Sequence, residues 1–439
     1  MQTIKRKHYF WIGHLLIPPG TCPLSINQPY MIRNLSLCFA LVIATVCSNH
    51  LLAQSTTGQS GDTLRPVIGG VPFINFTPDS RSAGMGDAGV AASPDANSIF
   101  WNTAKLAFAE KSHGLAISYT PWLRNLVGDM SFTYLSGYKK IGKNQAIGLA
   151  MMYFDLGKFE GRNGFGALTG EFYSRDFYIN GSYARKLSDN FSVGLNLKYI
   201  NSNPGVEGSV SGGNISIKPA STAAADISLF YQKDNIDTES NRGWKSAYGL
   251  MISNLGGKIN YGGENYFIST NFKIGTALTR QIDSHNKITF LLDFNKLMVP
   301  TPPVLGNALP GQTVRPVLRG KPLNRDYTSA VFGSFADAPD GFKEELREFT
   351  ISAGLEYWYN NQFAIRGGYF NESNTKGGRK YATVGFGFKI QDRYGIDMAY
   401  MMPFTQNSPL ANTFRISLLL DLVKKPKATT EQEAEDSAQ

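Results

Sequence analysis

From residue 113 onward, polar and apolar residues alternate one by one. In 191–199, Phe191, Val193, Leu195, Leu197 and Tyr199 are interleaved with Ser192, Gly194, Asn196 and Lys198. A period of two marks a β-strand with one apolar face. The pattern returns at Ile147/Leu149/Met151/Tyr153, at Ile288/Phe290/Leu292/Phe294, at Val384/Phe386/Phe388/Ile390 and at Phe414/Ile416/Leu418/Leu420. Fourteen such stretches follow one another, at 113–120, 128–138, 144–155, 171–185, 189–201, 223–233, 245–254, 268–280, 286–296, 348–359, 362–371, 380–390, 393–402 and 412–421. Most span 9–13 residues. Strands of soluble proteins average about five or six residues, whereas a tilted membrane-spanning strand needs about ten. The pattern predicts an all-β protein, a 14-stranded antiparallel transmembrane barrel over 113–421.

The connections carry the same message. Turns after even-numbered strands are short, as at Lys139 to Lys143, Leu187 to Ser188, Asn360 to Asn361 and Gln391 to Asp392. Those after odd-numbered strands are long: 156–170, 202–222, 255–267 and above all 297–347. Short periplasmic turns alternating with long external loops belong to outer-membrane barrels. Segment 234–244 is the exception, eleven residues on the short side. The parity places both ends of the barrel in the periplasm.

Cost decides which face meets lipid. An Arg or Lys on the lipid face at the membrane midplane costs about 2–4 kcal/mol. The apolar sets therefore face lipid. Lys198, Lys273, Arg366, Lys389 and Arg415 face inward, with Asp176, Asp226, Asp293, Glu356 and Asp397. Such a balanced interior can pair internally, or each group can stand in a solvated lumen.

Composition supports a membrane barrel. Charged residues are 18% of the 439 and aromatic residues 12%, against roughly 25% charged in soluble domains. This much apolar and aromatic content argues against disorder. Beyond residue 53 no apolar run approaches the roughly 18 residues of a membrane helix. Residues 1–53 read as a leader: Arg33 supplies a positive region, Leu35 to Cys47 an apolar one, and Ala53 a cleavage position, with Met31 as the translation start. Cys22, Cys38 and Cys47 all lie there, so the exported chain has no thiol for disulfides, metal or nucleophilic chemistry. The leader also holds four cations and no anion, which leaves the rest of the chain only mildly basic and gives no case for nucleic acid.

Segment 54–112, rich in Gly, Ala and Asp, would plug the lumen or cap the barrel from the periplasm. Residues 422–439, with Lys424, Lys425 and Lys427 followed by Glu431, Glu433, Glu435 and Asp436, read as a polar periplasmic tail. Little points to catalysis. His113 and His285 are far apart and lack the spacing of a zinc site, there is no G-x-S-x-G elbow, and no cofactor or metal is expected. Gly84-Met-Gly86-Asp-Ala-Gly89 matches G-x-G-x-x-G in letters, without the preceding strand that gives a dinucleotide site its mechanism. These glycines suit tight turns and close packing against a wall. The long loop 297–347 opens with Pro300, Pro302 and Pro303, carries Arg315, Arg319, Lys321 and Arg325, and ends in VFGSFADAPDGFKEELREF. Val331, Phe332, Phe335 and Phe342 either form a partner surface or fold back over the barrel mouth.

Residues 81–108, RSAGMGDAGVAASPDANSIFWNTAKLAF, resemble the N-terminal signature of the PorV/PorQ family, outer-membrane proteins of the type IX secretion system in Bacteroidota. Thr103 stands where that family often has Pro. Gly84, Gly86, Gly89, Pro94, Asp95, Trp101 and Asn102 carry the motif in a structural role. GSFADAPDGFKEELREF looks like the PorV branch (also called LptO). More distantly, the N-terminal stretch looks like the hatch of FadL-type fatty-acid transporters.

The resemblance implies a non-enzymatic carrier in the outer membrane. Its partners would be the translocon barrel (SprA/Sov-like), cargo bearing a secretion C-terminal domain, the sortase PorU with its attachment complex, and outer-membrane lipid. Phe332, Phe335 and Phe342 are candidate anchors of the partner surface. Two rivals remain. A FadL-like transporter of hydrophobic small molecules requires an apolar pocket against the hatch. A lipopolysaccharide O-deacylase requires a Ser or Asp within reach of His113 or His285.

Overall fold

The computed structural model describes residues 64–422, except 125–127, 163–164, 206–217, 264, 308–314 and 406–407. The expected leader with Met31, Cys22, Cys38 and Cys47, and the tail beyond residue 422, lie outside them. Fourteen strands close into one antiparallel barrel. They are β1 (His113–Pro121), β2 (Ser131–Ile141), β3 (Gln145–Arg162), β4 (Leu168–Lys186), β5 (Phe191–Asn203), β6 (Ala220–Asp237) and β7 (Arg242–Gly256). The second half holds β8 (Asn271–Gln281), β9 (Asn286–Leu297), β10 (Thr350–Tyr359), β11 (Phe363–Asn371), β12 (Lys380–Ile390), β13 (Tyr394–Pro403) and β14 (Phe414–Leu422). Each strand pairs with its neighbours in sequence, and β1 closes on β14 with His113 opposite Leu422. No helix among the described residues is long and apolar enough to cross a membrane; the crossing is made by strands.

The burial pattern inverts that of a soluble protein. On β5, Ser192, Asn196, Lys198 and Ser202 are buried while Leu195, Leu197 and Tyr199 are exposed. The outward faces of the other strands are likewise apolar, with Leu115, Leu149, Ile274, Phe290, Ile365 and Leu418 exposed. Aromatic side chains mark both rims. Tyr231, Trp244, Tyr359 and Tyr394 stand outward at the end shared by the two barrel termini, and Tyr119, Tyr369, Tyr400 and Phe414 at the other. Two such belts match the two membrane interfaces.

Two connections are shorter than the sequence suggests. Segment 156–170 is mostly an extension of the β3–β4 hairpin, paired from Lys158↔Tyr173 to Arg162↔Leu168 beyond a bulge at Gly157. Segment 234–244 is also paired, Asp237 opposite Arg242, so the apparent exception to the short turns disappears. Beyond the membrane both faces of a hairpin meet water, so alternation fades although pairing continues. At the same end, Asn360–Asn361 and Gln391–Asp392 have φ near +53°, the left-handed pair that two-residue hairpin turns require.

Residues 64–112 run through the barrel. The Arg65 N–H donates to the Thr375 carbonyl and Gly70 bridges Ile268, both at the end opposite the barrel termini. Ser112 accepts from the Lys140 N–H at the other end, where β1 begins. Between them Phe73, Ile74, Ile99, Phe100, Trp101 and Leu106 pack on Phe132, Tyr134, Phe154 and Tyr178 of the wall. Burying each such side chain contributes about 1.5–3 kcal/mol. The segment therefore occupies the lumen and does not cap the barrel from the periplasm.

Candidate functional site: a lumen interlock and a braced outer surface

The motif residues fasten the inner segment to the wall. Asp79 caps the short helix Ser80–Ala83 by accepting from the Ser82 N–H, and its other oxygen accepts from Trp101 Nε1 at 2.6 Å. Arg81 leaves that helix toward β10 and donates to both oxygens of Glu356, while pairing with Asp95 at 2.9 Å. Arg366 bonds the same Glu356 at 2.8 Å and reaches Asp397 on β13 at 2.7 Å. The result is a buried chain of alternating charge in which each ion has an opposite neighbour, the condition under which buried charge is tolerated.

The glycines act through closeness. Gly86 has φ +69°, and its N–H donates to Thr383 on β12. A side chain on Gly368 of β11 would overlap the backbone of Met85 and Gly86. Gly84 packs against Gly385, and a side chain on Gly89 would strike the Trp101 ring. The N–H groups of Gly89 and Val90 both donate to Asp293, at 2.7 and 2.9 Å. Asn102 donates to the Leu229 carbonyl and accepts from Ala104, Thr103 donates to Asn196, and Pro94 lies in the irregular stretch just ahead of Asp95. The G-x-G-x-x-G letters thus bind a wall.

Pairing also governs most of the other inward charges. Lys198 meets Asp226 at 2.8 Å, and Lys389 and Arg415 stand 3.8 Å from Asp421 and Asp87. Asp176 accepts from the Asn203 N–H. Lys273 is different and lies over the rings of Phe100 and Trp101.

The outer end carries a second ionic assembly, one the sequence does not announce. The described residues of 298–349 form two short strands, Val304–Leu305 and Val317–Arg319, and two helices, Tyr327–Gly333 and Phe342–Arg347. Glu344, Glu345 and Glu348 all turn inward. Lys296, at the end of β9, is enclosed by Glu345 and Glu348, and Lys376 bridges Glu344 and Glu348 at 2.7 and 2.8 Å. Thr301 donates to Glu348, and Glu345 accepts from the N–H groups of Asp337 and Ala338. Arg65 joins from the inner segment through Asp340 and Glu344, and Arg325 pairs with Asp337. Burial pushes the Asp337 carboxyl above its ordinary range, with the hydrogen bond from Arg325 pulling it back.

This bracing leaves apolar groups outside. Phe342 is 76% exposed and Phe332 57%, with Leu318 and Leu346 also exposed. Phe335 is different: it packs edge-on against Phe272 and lies near Phe349 and Lys296. Val331 is fully buried. Phe332 and Phe342 project outward, and Phe335, still 39% exposed, also helps to hold the loop down.

The histidines are not brought together. Ser112 contacts His113 Nδ1 at 2.9 Å on β1, and Ser284 contacts His285 Nδ1 at 2.9 Å in the β8–β9 turn. Asp283 approaches that same Nδ1 of His285, at 4.0 Å, so the two ring nitrogens do not link serine to carboxylate as a relay requires. Among the described residues, no cluster of His, Cys, Asp and Glu is arranged to hold a metal.

A protein-family model described as Type IX secretion system protein PorV matches residues 59–304. No curated protein matches the chain. Among solved structures, the chain is similar to the Ralstonia pickettii toluene transporter TbuX, at 12% identity over 78% of this chain and 98% of that one, with a TM-score of 0.44. It is also similar to the CymD monoaromatic hydrocarbon channel, at 13% identity over 79% and 98%, TM-score 0.43. A Pseudomonas aeruginosa FadL homologue shares 14% identity over 81% and 99%, TM-score 0.41. Those likenesses assign no ligand to this chain.

Proposed function

Since the chain belongs to the PorV family of type IX secretion system proteins, we propose that it is a non-enzymatic carrier of secreted proteins. Family and barrel make it an outer-membrane component of that system. In the proposed role it accepts cargo bearing a secretion C-terminal domain from an SprA/Sov-like translocon barrel. It then passes the cargo to the PorU sortase and its attachment complex.

The braced apolar surface at the outer end carries this reading. Exposed aromatic groups on a mobile loop would bury themselves; here the ionic assembly beneath holds Phe332 and Phe342 outward. Exposed apolar patches of this kind mark protein contacts, and aromatic anchors commonly dominate their energetics. The buried ion pairs across the lumen support a carrier over a wide greasy conduit.

The test replaces Phe332 and Phe342 with Ser in the native strain. The expected result is a normal amount of folded barrel with reduced surface attachment of cargo and reduced recovery of partner proteins. Unchanged attachment and unchanged recovery would remove this surface from the mechanism.

A further inference from the structure

The loop between β9 and β10 is neutral as a sequence: residues 298–349 hold six cations and six anions. The fold sorts them by sign. Asp337, Glu344, Glu345 and Glu348 are buried, whereas Arg315, Arg319, Lys321 and Lys343 are exposed. A buried carboxylate is tolerated when a cation is paired with it. Glu344, Glu345 and Glu348 find theirs outside the loop, in Lys296 of β9, Lys376 of the β11–β12 connection and Arg65 of the inner segment. Asp337 takes its cation, Arg325, from the loop itself.

Borrowing cations from elsewhere frees the loop's own cations for the outside. The exposed anions are Asp326 and Asp340, and Asp340 is already taken up by Arg65 and Arg319. Among the described residues, Lys321 and Lys343 pair with no carboxylate. The Arg319–Asp340 contact and the close approach of Gly320 to Pro339 bring Lys321 beside the helix that carries Phe342 and Lys343. The outer surface of a neutral segment is therefore basic, and its cations stand next to the exposed aromatic groups.

We propose that this face docks an acidic protein surface, whose apolar side chains meet Phe332 and Phe342 and whose carboxylates meet Lys321 and Lys343. The inference rests on the carrier reading of this surface and adds the charge of the partner. Complementary charge around apolar anchors speeds encounter with an acidic partner and repels a basic one. A phosphate-bearing lipid headgroup would engage the lysines and leave Phe342, 76% exposed, in water. An acidic protein surface covers both.

The test treats intact cells with a carbodiimide, which joins a lysine to a touching carboxylate without a spacer. The full-length chain is then purified and its links are mapped by mass spectrometry. Lys321 and Lys343 are expected to be joined to Asp or Glu of a second protein. Lys321→Glu combined with Lys343→Glu should lower recovery of those same proteins at least about threefold at about 0.1 M salt, the scale of two exposed ion pairs. At about 1 M salt, where charge reaches about 3 Å instead of about 10 Å, wild type and variant should converge. Migration on semi-native gels checks that the variant barrel is folded. Phe332→Ser combined with Phe342→Ser keeps the two readings apart. Reduced recovery there, with full recovery in the charge-reversed variant, would overturn the acidic partner and leave the carrier surface standing. Unchanged recovery in both variants would overturn both readings. Links confined to the chain itself, or a charge-reversed variant that loses bound lipopolysaccharide and no protein, would each overturn the proposal.

Discussion

Arg81 and Glu356 meet through two parallel hydrogen bonds of 2.9 and 2.8 Å, across 275 positions of sequence. This fork-to-fork contact, the strongest geometry available to such a pair, joins the first residue of the signature motif to the barrel wall. Arg366 shares Glu356, so one carboxylate holds two guanidinium groups.

That sharing gives an asymmetry. Glu356→Ala leaves two buried cations short of a partner and is expected to cost about 3–5 kcal/mol. Arg81→Ala should cost less, because Glu356 keeps Arg366. The temperature at which the folded barrel loses its fast migration on semi-native gels reports both. Equal and negligible shifts would contradict the role given to this network.

Two adjacent glycines on β11 should behave oppositely. A side chain on Gly367 meets nothing within 4 Å, whereas one on Gly368 collides with the turn at Met85–Gly86. Gly367→Ala should stay within about 0.5 kcal/mol of wild type. Gly368→Ala should displace the inner segment and lower the yield of folded barrel in the outer membrane. Equal yields would show that the segment is not seated on β11.

Lys296 is the keystone of the outer ionic assembly. Lys296→Met leaves Glu345 buried without its cation and Glu348 with Lys376 alone, so the loop after β9 should loosen. Protease added to intact cells is expected to cut within this loop in the variant and spare it in the wild type. Equal resistance would mean that the loop is held by other contacts.

Phe335 and Phe342 separate packing from binding. Phe335→Ser removes the contact with Phe272 and should raise protease sensitivity of the loop, with a loss of order 1–3 kcal/mol. Phe342→Ser, at a position 76% exposed, should leave protease sensitivity unchanged. If both variants loosen the loop alike, Phe342 is part of its packing.

The strands were legible because lipid enforces alternation. Where a strand crosses the membrane, as at Phe191 to Tyr199, the apolar face cannot be mixed with charge. Past the membrane that constraint ends, and the pairing of Lys158 with Tyr173 and of Asp237 with Arg242 left no periodic trace. The inward direction of Glu356, Arg366 and Asp397 was legible from the same alternation. Their partners were not, since period two fixes a face and says nothing about which distant residue lies across the lumen. The outer assembly was least legible of all. FKEELRE reads as a charged run, and only the fold reveals that Glu344, Glu345 and Glu348 point in while Phe342 points out.

In the proposed role this barrel carries secreted proteins from the translocon to the attachment complex. Affinity purification of the chain from native outer membrane in mild detergent, followed by mass spectrometry, tests it most directly. A carrier is expected to bring with it a very large barrel protein, a sortase-like protein and secreted proteins sharing a C-terminal domain. Recovery of the chain without any of them would contradict it.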